Sequence, residues 1–455
     1  MNIRRQMALL AGDLGVTVVS AHFFFSIGFF SPPYAVPEGF GGAVFLFALF
    51  CLVSFYLFDL YDQKRPLRSL SFISWYLLAV GAALAASAVA FYVFPGWKAG
   101  RRAFFACAPA AAACVYLWRL AFSFSSGRAR KKKGLVIIGA GSTGKAIYEA
   151  LAGKDNGFDL KGFIDDDPVK SGRRIGGLEV IGDSGSLAEL AHKRQIGAAV
   201  IAVGHVEDPA LLKAVITSRM NGADIYDMPS LYEKLTGKVP VSHLTDNWIA
   251  HTTFQGVRNS LYTEWIKKAL DCALALFGLI ATSPLSLAAA AAIKIEGEGP
   301  VFYRQERVGL RGKVYRLVKF RSMKADAEAA GAAWAVENDP RVTRVGRVIR
   351  KARIDEIPQM WNVLRGEMSF IGPRPERPEF VGRLEESIPF YALRHSIKPG
   401  ITGWAQVNYG YGASERDALE KLQYDFFYMK NMSPFLDLHI LLKTLRVVLL
   451  GKGAR

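Results

Sequence analysis

Four apolar segments in the first 126 residues constrain the fold more than any other feature of the sequence. They lie near residues 7–30, 41–58, 72–95 and 103–124. Each is close to the roughly 20 residues that a helix needs to cross the hydrocarbon core of a bilayer. Three similar segments follow the first, which argues against a cleavable signal peptide. The sequence therefore predicts a four-span transmembrane helical bundle over residues 1–126.

Basic residues flank these segments mainly on one side. Lys and Arg are frequent in the N-terminal MNIRR, in DQKRPLR after the second segment and in SGRARKKK after the fourth. The first outer loop, SPPYAVPEGF, has none, although the second, PGWKAGRR, has three. Because Lys and Arg concentrate in cytoplasmic loops, we expect the chain after residue 126 to be cytoplasmic. Asp13 and Arg119 lie inside segments near their cytoplasmic ends, where local pairing or snorkelling is favoured over a proton relay.

The overall charge points to an anionic partner. The 455 residues include 57 Lys and Arg against 40 Asp and Glu, a formal net charge of +17. Nucleic acid, an anionic membrane surface and phosphorylated substrates all suit that balance. The 51% hydrophobic and 12% aromatic composition argues against nucleic acid and for a membrane protein. The four cysteines lie in apolar segments without a CxxC pair, so neither a zinc site nor a disulfide framework is expected.

Residues 127–245 have the pattern of a doubly wound, Rossmann-like α/β domain. The run GLVIIGAGSTGKAIYEAL places Gly139, Gly141 and Gly144 between a strand and a helix. Asp165 ends a second strand about 20 residues later, which completes the dinucleotide-binding fingerprint. Such glycines also serve the close packing of a helix on a strand, and no Tyr-xxx-Lys pair follows. A structural or regulatory module is therefore favoured over a nucleotide or nucleotide-sugar site.

A second apolar region begins after a linker at 246–261. Residues 262–295 are hydrophobic enough for a fifth span, but crossing would export the basic C-terminal part of the chain. Ser283 and Pro284 lie in the middle, where proline removes a backbone donor and kinks a helix. The preceding serine can bond a freed carbonyl, which makes a break tolerable in lipid. We expect a re-entrant helix over 264–294, with a Pro-kinked span as the alternative.

Basic and polar residues gather in the segment that follows. Residues 300–307 and 314–321 alternate like two strands of a hairpin across a turn that contains glycine. This hairpin is expected to carry a polar cluster near the membrane surface, made of Gln305, Arg307, Lys319 and Arg321. Arginines then recur every three residues from Arg341 to Arg350, which predicts one stripe along a helix.

Two adjacent acids, Asp355 and Glu356, stand inside the basic run RKARIDEIPQMWNVLRGEMSFIGPRP. The structural interpretation is an acidic N-terminal cap of a helix that begins near Pro358. The functional interpretation needs a nucleophile, a divalent cation and phosphate-binding cations together. An Asp carboxylate can attack phosphorus, Mg²⁺ prefers one or two carboxylates plus substrate phosphates, and Lys319 and Arg374 can offset phosphoryl charge. Neighbours on a helix do not share a face, so the two acids are expected to have different roles.

Several motifs in this half of the chain resemble one bacterial family. GPVFYRQERVG, KFRSM, DPRVTRVGRVIRKARIDEIPQMWNVLRGEMSFIGPRP and KPGITGWAQV follow one another in the order found in bacterial sugar transferases, the monotopic polyprenyl-phosphate glycosyl-1-phosphate transferases. The resemblance covers residues 262–455. The four-span region and the α/β domain before it resemble the large branch that initiates exopolysaccharide synthesis. One departure is QVNYGYGAS, where many members have an Asn-Gly-Arg run, so the identity of the sugar stays open.

The resemblance implies an enzyme on the cytoplasmic face of the bacterial inner membrane, with an α-rich α+β catalytic domain over 262–455. Asp355 is expected to attack the β-phosphorus of a UDP-sugar, expelling UMP, and undecaprenyl phosphate then accepts the sugar phosphate. Glu356 is expected to hold Mg²⁺ or to assist proton handling, and Ser283-Pro284 matches the helix-breaking pair of the family. The implied partners are a UDP-sugar, undecaprenyl phosphate and membrane lipid, without nucleic acid, and a homodimer is compatible with the sequence. The candidate substrate and phosphate ligands are Gln305, Arg307, Lys319, Arg321, Arg353 and Arg374.

Two other classes of protein remain as alternatives. A membrane-anchored nucleotide-sugar dehydratase or oxidoreductase explains the glycine motif but leaves the C-terminal half without a role. A non-enzymatic scaffold for polysaccharide assembly explains the four spans and the α/β domain. The scaffold predicts that Asp355→Asn leaves activity unchanged, which distinguishes it from a transferase.

Overall fold

A computed structural model describes most of the chain. The described residues are 3–26, 40–58, 60–61, 67, 69–93, 101–126, 132–153, 156–192, 196–203, 208–324, 327, 339–410, 412 and 414–449. They divide into two compact units, Met1–Lys131 and Lys132–Arg455. The described residues of the first unit are mainly helical, whereas the second combines a parallel sheet with a helix-rich region.

The first unit consists of helices at the four predicted places. They are α1 (Ile3–Ser26), α2 (Phe40–Leu57), α3 (Leu70–Val93) and α4 (Arg101–Ser126). Helix α1 packs on α4 and α2, and α2 packs on α3. Alanines such as Ala48, Ala79 and Ala111 are fully buried at the centre, and small side chains of this kind let apolar helices approach closely.

Length and hydropathy distinguish the helices of this chain. Among the described residues, Phe72–Val93 is long and apolar enough by itself to cross a bilayer. Ala8–Phe24, Gly41–Leu57 and Ala108–Phe124 are apolar but shorter. The number of spans therefore stays a prediction.

The two charged residues inside the bundle pair with each other. The Arg119 guanidinium donates to the Asp13 carboxylate at 2.6 Å and to the Leu60 carbonyl at 2.8 Å. The rings of Phe55 and Tyr61 cover the guanidinium at 4.7 and 4.8 Å. The predicted local pairing is confirmed, and the polar contacts of Arg119 with described residues lie within the bundle.

The second unit begins with a mainly parallel sheet that confirms the predicted α/β fold. Its strands are β1 (Lys133–Ile138), β2 (Phe158–Ile164), β3 (Arg174–Ile175), β4 (Leu178–Gly182), β5 (Ala198–Ile201) and β6 (Asp224–Asp227). Its helices are α5 (Ser142–Leu151), α6 (Ser184–His192), α7 (Pro209–Met220) and α8 (Met228–Thr236). The strand order is β3-β4-β2-β1-β5-β6, and only β3 is antiparallel to its neighbour.

Alternate residues of β1 pack into two separate clusters, as a strand covered on both faces requires. Leu135 and Ile137 join α5 and α8 in one hydrophobic cluster. Val136 and Ile138 join α6 and α7 in the other.

The third glycine of the fingerprint is required by packing. A Cβ at Gly144 would lie 1.9 Å from the carbonyl oxygen of Gly139, which itself has φ +102°. Helix α5 therefore crosses the end of β1 at a distance that only glycine permits.

The rest of the unit is the predicted catalytic domain, with a few short strands among helices. Its helices are α9 (Asp246–His251), α10 (Lys267–Ala281), α11 (Ser283–Glu296), α12 (Arg344–Lys351), α13 (Gln359–Leu364), α14 (Pro378–Ser387), α15 (Trp404–Asn408), α16 (Glu415–Asn431) and α17 (Pro434–Leu449). Strands β7 (Phe302–Val308) and β8 (Val314–Phe320) form the predicted hairpin, and β9 (Ser369–Ile371) pairs in parallel with β10 (Gly400–Thr402). Residues 246–261, expected to be a linker, contain α9, and Trp248 and Phe254 pack on the catalytic core.

Helices α10 and α11 meet at a sharp break. The segments Tyr262–Ala281 and Ser283–Glu296 are bent by 61° relative to each other and together are apolar enough for one broken span or a re-entrant loop. As predicted, the Ser283 hydroxyl donates to a freed carbonyl, that of Ile280, at 2.7 Å. Large apolar side chains including Trp265, Phe277 and Leu287 are exposed along this pair.

Replacement of Gly144 tests the packing role of the glycine loop. We expect Gly144→Ala to lower the free energy of unfolding of the α/β domain by about 1–3 kcal/mol, because the added methyl group overlaps a backbone oxygen. Chemical denaturation of the purified full-length protein in detergent measures the change. Gly185→Ala is the matched control, since its Cβ meets only an ordinary contact at 3.4 Å. An equal loss in both variants would contradict the packing role.

Candidate active site

Asp355 and Glu356 lie in a tight turn rather than at the start of an α-helix. The turn is a 3-10 helix over Ile354–Glu356, and α13 begins only at Gln359. Pro358 has no N–H, so it cannot donate the bond that would extend α13 back over Ile354. Arg353, directly before the turn, has the left-handed backbone conformation φ 58°, ψ 18°. A non-glycine residue in this region carries strain of about 1–3 kcal/mol, which clusters at functional sites.

Three cations converge on one oxygen of Glu356. Its Oε1 lies 2.8 Å from Arg374 Nη2, 3.6 Å from Arg353 Nη1 and 3.7 Å from Lys319 Nζ. Burial by itself raises the pKa of Glu356, but the three cations outweigh it and hold this pKa well below its usual range. Glu356 is therefore a permanent anion that orders the cations around it.

The surroundings of Asp355 displace its pKa in the opposite direction, upward. Burial raises the pKa of Asp355, the charge of Glu356 adds to this effect, and Lys319 is among the cations that oppose it. Among the contacts of the described residues, none is a hydrogen bond to the Asp355 carboxylate. The pKa values of the two acids are therefore displaced in opposite directions, and their partners differ, an arrangement typical of carboxylates with separate tasks.

Lys319 is presented by β8, and a buried asparagine that the sequence analysis missed fixes this strand. The Asn362 side chain accepts from Val318 N–H at 3.0 Å and donates to the Arg316 carbonyl at 2.8 Å and to Glu367 at 2.6 Å. It thus takes the place of a neighbouring strand directly beside Lys319. Burial lowers the pKa of Lys319 to about 8, against the attraction of Glu356.

Three of the predicted phosphate ligands are engaged elsewhere. Arg321 donates to the carbonyls of Glu298, Ile293 and Gly297 and so caps the C-terminal end of α11. Arg307 donates to the Pro375 carbonyl at 3.0 Å and to the side chain of Gln305. The structure thus brings Lys319, Arg353 and Arg374 to the acid pair but gives Gln305, Arg307 and Arg321 backbone or mutual contacts.

Of the predicted arginine stripe, only part lies on a helix. Arg344, Arg347 and Arg350 belong to α12, whereas Arg341 precedes it and pairs with Asp339 at 2.6 Å.

The glycine loop of the α/β domain is a second candidate site. Asp165 accepts a hydrogen bond from Ala140 N–H, within the loop itself, at 2.7 Å. It also accepts from Asp167 N–H and from Lys170. Burial raises the pKa of Asp165, but these donors outweigh it and lower the pKa overall. Its carboxylate is thus occupied by the loop, which agrees with the structural interpretation of the glycines.

A resident metal site is not evident in the described part of the chain, where no three His, Cys, Asp or Glu residues cluster. The acid pair fits a different mode, since Mg²⁺ is usually held by one or two carboxylates together with substrate phosphates. Glu356 already contacts three cations, whereas no described residue forms an ion pair or hydrogen bond with the Asp355 carboxylate. The residues therefore fit a cation that arrives with a diphosphate.

Comparison with known proteins finds matches for both the α/β domain and the region that contains the acid pair. The family model described as bacterial sugar transferase matches residues 262–451, and one described as a CoA-binding domain matches residues 56–229. The UDP-N-acetylgalactosamine-undecaprenyl-phosphate N-acetylgalactosaminephosphotransferase of Aeromonas hydrophila is 46% identical over 51% of this chain and 53% of its own length. Two UDP-glucose:undecaprenyl-phosphate glucose-1-phosphate transferases also match. The enzyme of Xanthomonas campestris is 39% identical over 51% of this chain and 47% of its own length. The enzyme of Caulobacter vibrioides is 41% identical over 41% of this chain and 71% of its own length.

The chain belongs to the bacterial sugar transferase family. It spans about half the length of the Aeromonas and Xanthomonas relatives. Among solved structures, RSP, a Rex-family repressor, is 17% identical with a TM-score of 0.21, over 27% of this chain and 68% of that chain. This score is too low to carry a conclusion about fold.

The role of Asn362 can be tested by stability. We expect Asn362→Leu to lower the free energy of unfolding by at least about 2 kcal/mol, because each buried backbone group left without a partner costs about 1–3 kcal/mol. Chemical denaturation in detergent measures it. Asn247→Leu, at an exposed position of α9, is expected to change stability by less than about 0.5 kcal/mol. A similar small effect at Asn362 would show that β8 does not depend on it.

Proposed function

We propose that this protein transfers a sugar 1-phosphate from a UDP-sugar to undecaprenyl phosphate through a covalent intermediate on Asp355. The observation that carries the proposal is the contrast within the acid pair. Glu356 is held by three cations, while the adjacent Asp355 has no such bond to any described residue and is close enough for those cations to neutralise an incoming phosphate. The names of the relatives support the same substrates.

In the first step the Asp355 carboxylate attacks the β-phosphorus of the donor. A bond forms between aspartate oxygen and phosphorus, the bond from that phosphorus to the bridging oxygen breaks, and UMP leaves with the bridging oxygen. Lys319, Arg353 and Arg374 stabilise the charge on the phosphoryl oxygens, which is the main catalytic contribution in phosphoryl transfer. Glu356 keeps these three side chains in place.

In the second step a phosphate oxygen of undecaprenyl phosphate attacks the same phosphorus. Asp355 leaves as a carboxylate, and undecaprenyl-diphosphate-sugar is formed. The two displacements need no net proton transfer. Mg²⁺ bound with the diphosphate, with Asp355 or Glu356 as protein ligand, would supply further charge neutralisation.

The proposed membrane location follows from the lipid nature of the acceptor substrate. Undecaprenyl phosphate is a membrane lipid, and the exposed apolar side chains of α10 and α11 suit contact with hydrocarbon. We propose a re-entrant α10–α11 pair and four spans in the bacterial inner membrane. The basic loops favour a catalytic domain on the cytoplasmic face, where the enzyme would begin a surface glycan or exopolysaccharide.

The names of the relatives indicate which UDP-sugars to test first as donors. The relative named for N-acetylgalactosamine is 46% identical, whereas the two named for glucose are 39% and 41% identical. UDP-N-acetylgalactosamine is therefore the first donor to test, and UDP-glucose the second.

Labelling tests the nucleophile. We expect purified protein incubated with Mg²⁺ and a UDP-sugar radiolabelled at the β-phosphorus to become labelled, and the label to move to lipid when undecaprenyl phosphate is added. Asp355→Asn should abolish the protein label, because an amide cannot replace the carboxylate as nucleophile. Asp339→Asn, which changes a buried carboxylate paired with Arg341, should retain the label.

Two results would reject this chemistry. Release of UDP instead of UMP means that the sugar moves without its phosphate. A labelled Asp355→Asn protein means that another group is the nucleophile.

The lowered pKa of Lys319 predicts a pH dependence. Lys319 must be protonated to neutralise phosphate, and its pKa is about 8 in the free protein. We therefore expect kcat/KM for the donor, which reports on the free enzyme, to fall as the pH rises through about 8. Lys319→Arg should move the fall to higher pH, since arginine stays charged. Exposed Lys313→Arg is the control, and a wild-type profile that stays flat to pH 10 would contradict the assignment.

A further inference from the structure

The loop that presents Arg374 is held through its backbone at every residue. Four successive carbonyl oxygens, from Pro373 to Glu376, each accept a hydrogen bond. The donors are Gly400 N–H at 2.9 Å, Arg394 Nη2 at 3.0 Å, Arg307 Nη1 at 3.0 Å and Val308 N–H at 2.9 Å, in that order. The two middle donors are arginine side chains.

Side-chain donors are needed here because the loop cannot hold itself. Pro373 and Pro375 have no N–H, so this segment cannot form a regular ladder with a neighbouring strand. Arg394 and Arg307 instead donate to the carbonyls of Arg374 and Pro375, the two carbonyls that directly follow the Arg374 Cα.

Arg394 is itself fixed by buried partners. Its Nε and Nη2 donate to Asp425 at 3.1 and 2.7 Å, and its Nη1 donates to the Tyr391 hydroxyl at 2.8 Å. Arg394 and Asp425 are only 5% and 2% exposed. Burying such a pair is costly and adds little net stability, so a buried pair often serves to specify a geometry.

We infer that Arg394, fixed by Asp425, and Arg307 are positioning residues that set where the Arg374 guanidinium meets Glu356. The inference rests on the proposed transferase function. It gives Arg307 a role through Arg374, in place of direct contact with phosphate. The relevant geometry is the 2.8 Å contact from Arg374 to Glu356, and a shift of about 1 Å at such a contact can cost a hundredfold in rate.

A double-mutant cycle separates positioning from plain structural support. We expect Arg394→Lys, which keeps the charge but loses the forked donor, to lower kcat/KM for the UDP-sugar at least tenfold. In a protein that already carries Arg374→Lys, the same change should cost less than about threefold, because effects that act through one residue are not additive. A structural role predicts equal losses in both backgrounds, and that result would overturn the inference.

Two further measurements keep the test decisive. Asp425→Asn, which is nearly isosteric, should reproduce the pattern of Arg394→Lys and replaces it if that variant does not fold. Donor affinity, measured by direct titration in proteins that also carry Asp355→Asn, should show the same coupling where turnover is too slow to measure.

A control variant and the labelling of the wild type separate failure of the positioning role from failure of the proposed transferase function. Arg341→Lys alters another Arg–Asp pair and should be additive with Arg374→Lys. If wild-type protein forms no labelled intermediate with either UDP-sugar, the proposed function fails. If the wild type is labelled and the cycle is additive, only the positioning role fails.

Discussion

The site depends on one carboxylate that gathers three cations. Glu356 forms ion pairs with Arg374 from the loop after β9, with Arg353 directly before the acidic turn and with Lys319 from β8. Three separate parts of the domain therefore meet at a single oxygen. Glu356 is the largest attractive charge on Lys319 and Arg374, so loss of its charge would leave these partly buried cations without their main counter-charge.

The second acid gains its chemistry from this arrangement. Glu356 already balances the cations, no described residue donates a hydrogen bond to Asp355, and burial together with the charge of Glu356 raises the pKa of Asp355. A carboxylate engaged in an ion pair is a poorer nucleophile than one that lies near the cations without a direct contact to them. The strained backbone of Arg353 and the proline that stops α13 keep both acids in one short turn. The local sequence Arg-Ile-Asp-Glu-Ile-Pro therefore gives two adjacent carboxylates different surroundings.

Sequence patterns predicted the parts that depend on local chemistry. The hairpin, the broken apolar helix, the glycine loop and the Lys319–Glu356–Arg374 group are all present. Helix α13 begins at Gln359, as expected, but the two acids lie in a separate 3-10 turn before it, because Pro358 has no N–H to join that turn to the helix. Asn362 and Arg394 were missed because each acts on the backbone of a segment distant along the chain. The local sequences around these residues, WNV at 361–363 and RHS at 394–396, do not indicate which distant backbone group the side chain will contact. Arg307 was predicted to bind phosphate for the same reason, although it donates to the Pro375 carbonyl.

The α/β domain is joined to the catalytic domain by more than a linker. Val239, three residues after α8, is fully buried in the catalytic core and donates its N–H to the Gln423 carbonyl of α16. Glu233 of α8 pairs with Lys430 near the end of the same helix at 2.7 Å. Between these contacts α16 carries Asp425, which fixes Arg394 and through it the backbone of Arg374. Helix α16 therefore contacts both the end of the α/β domain and, through Asp425 and Arg394, the loop that presents Arg374.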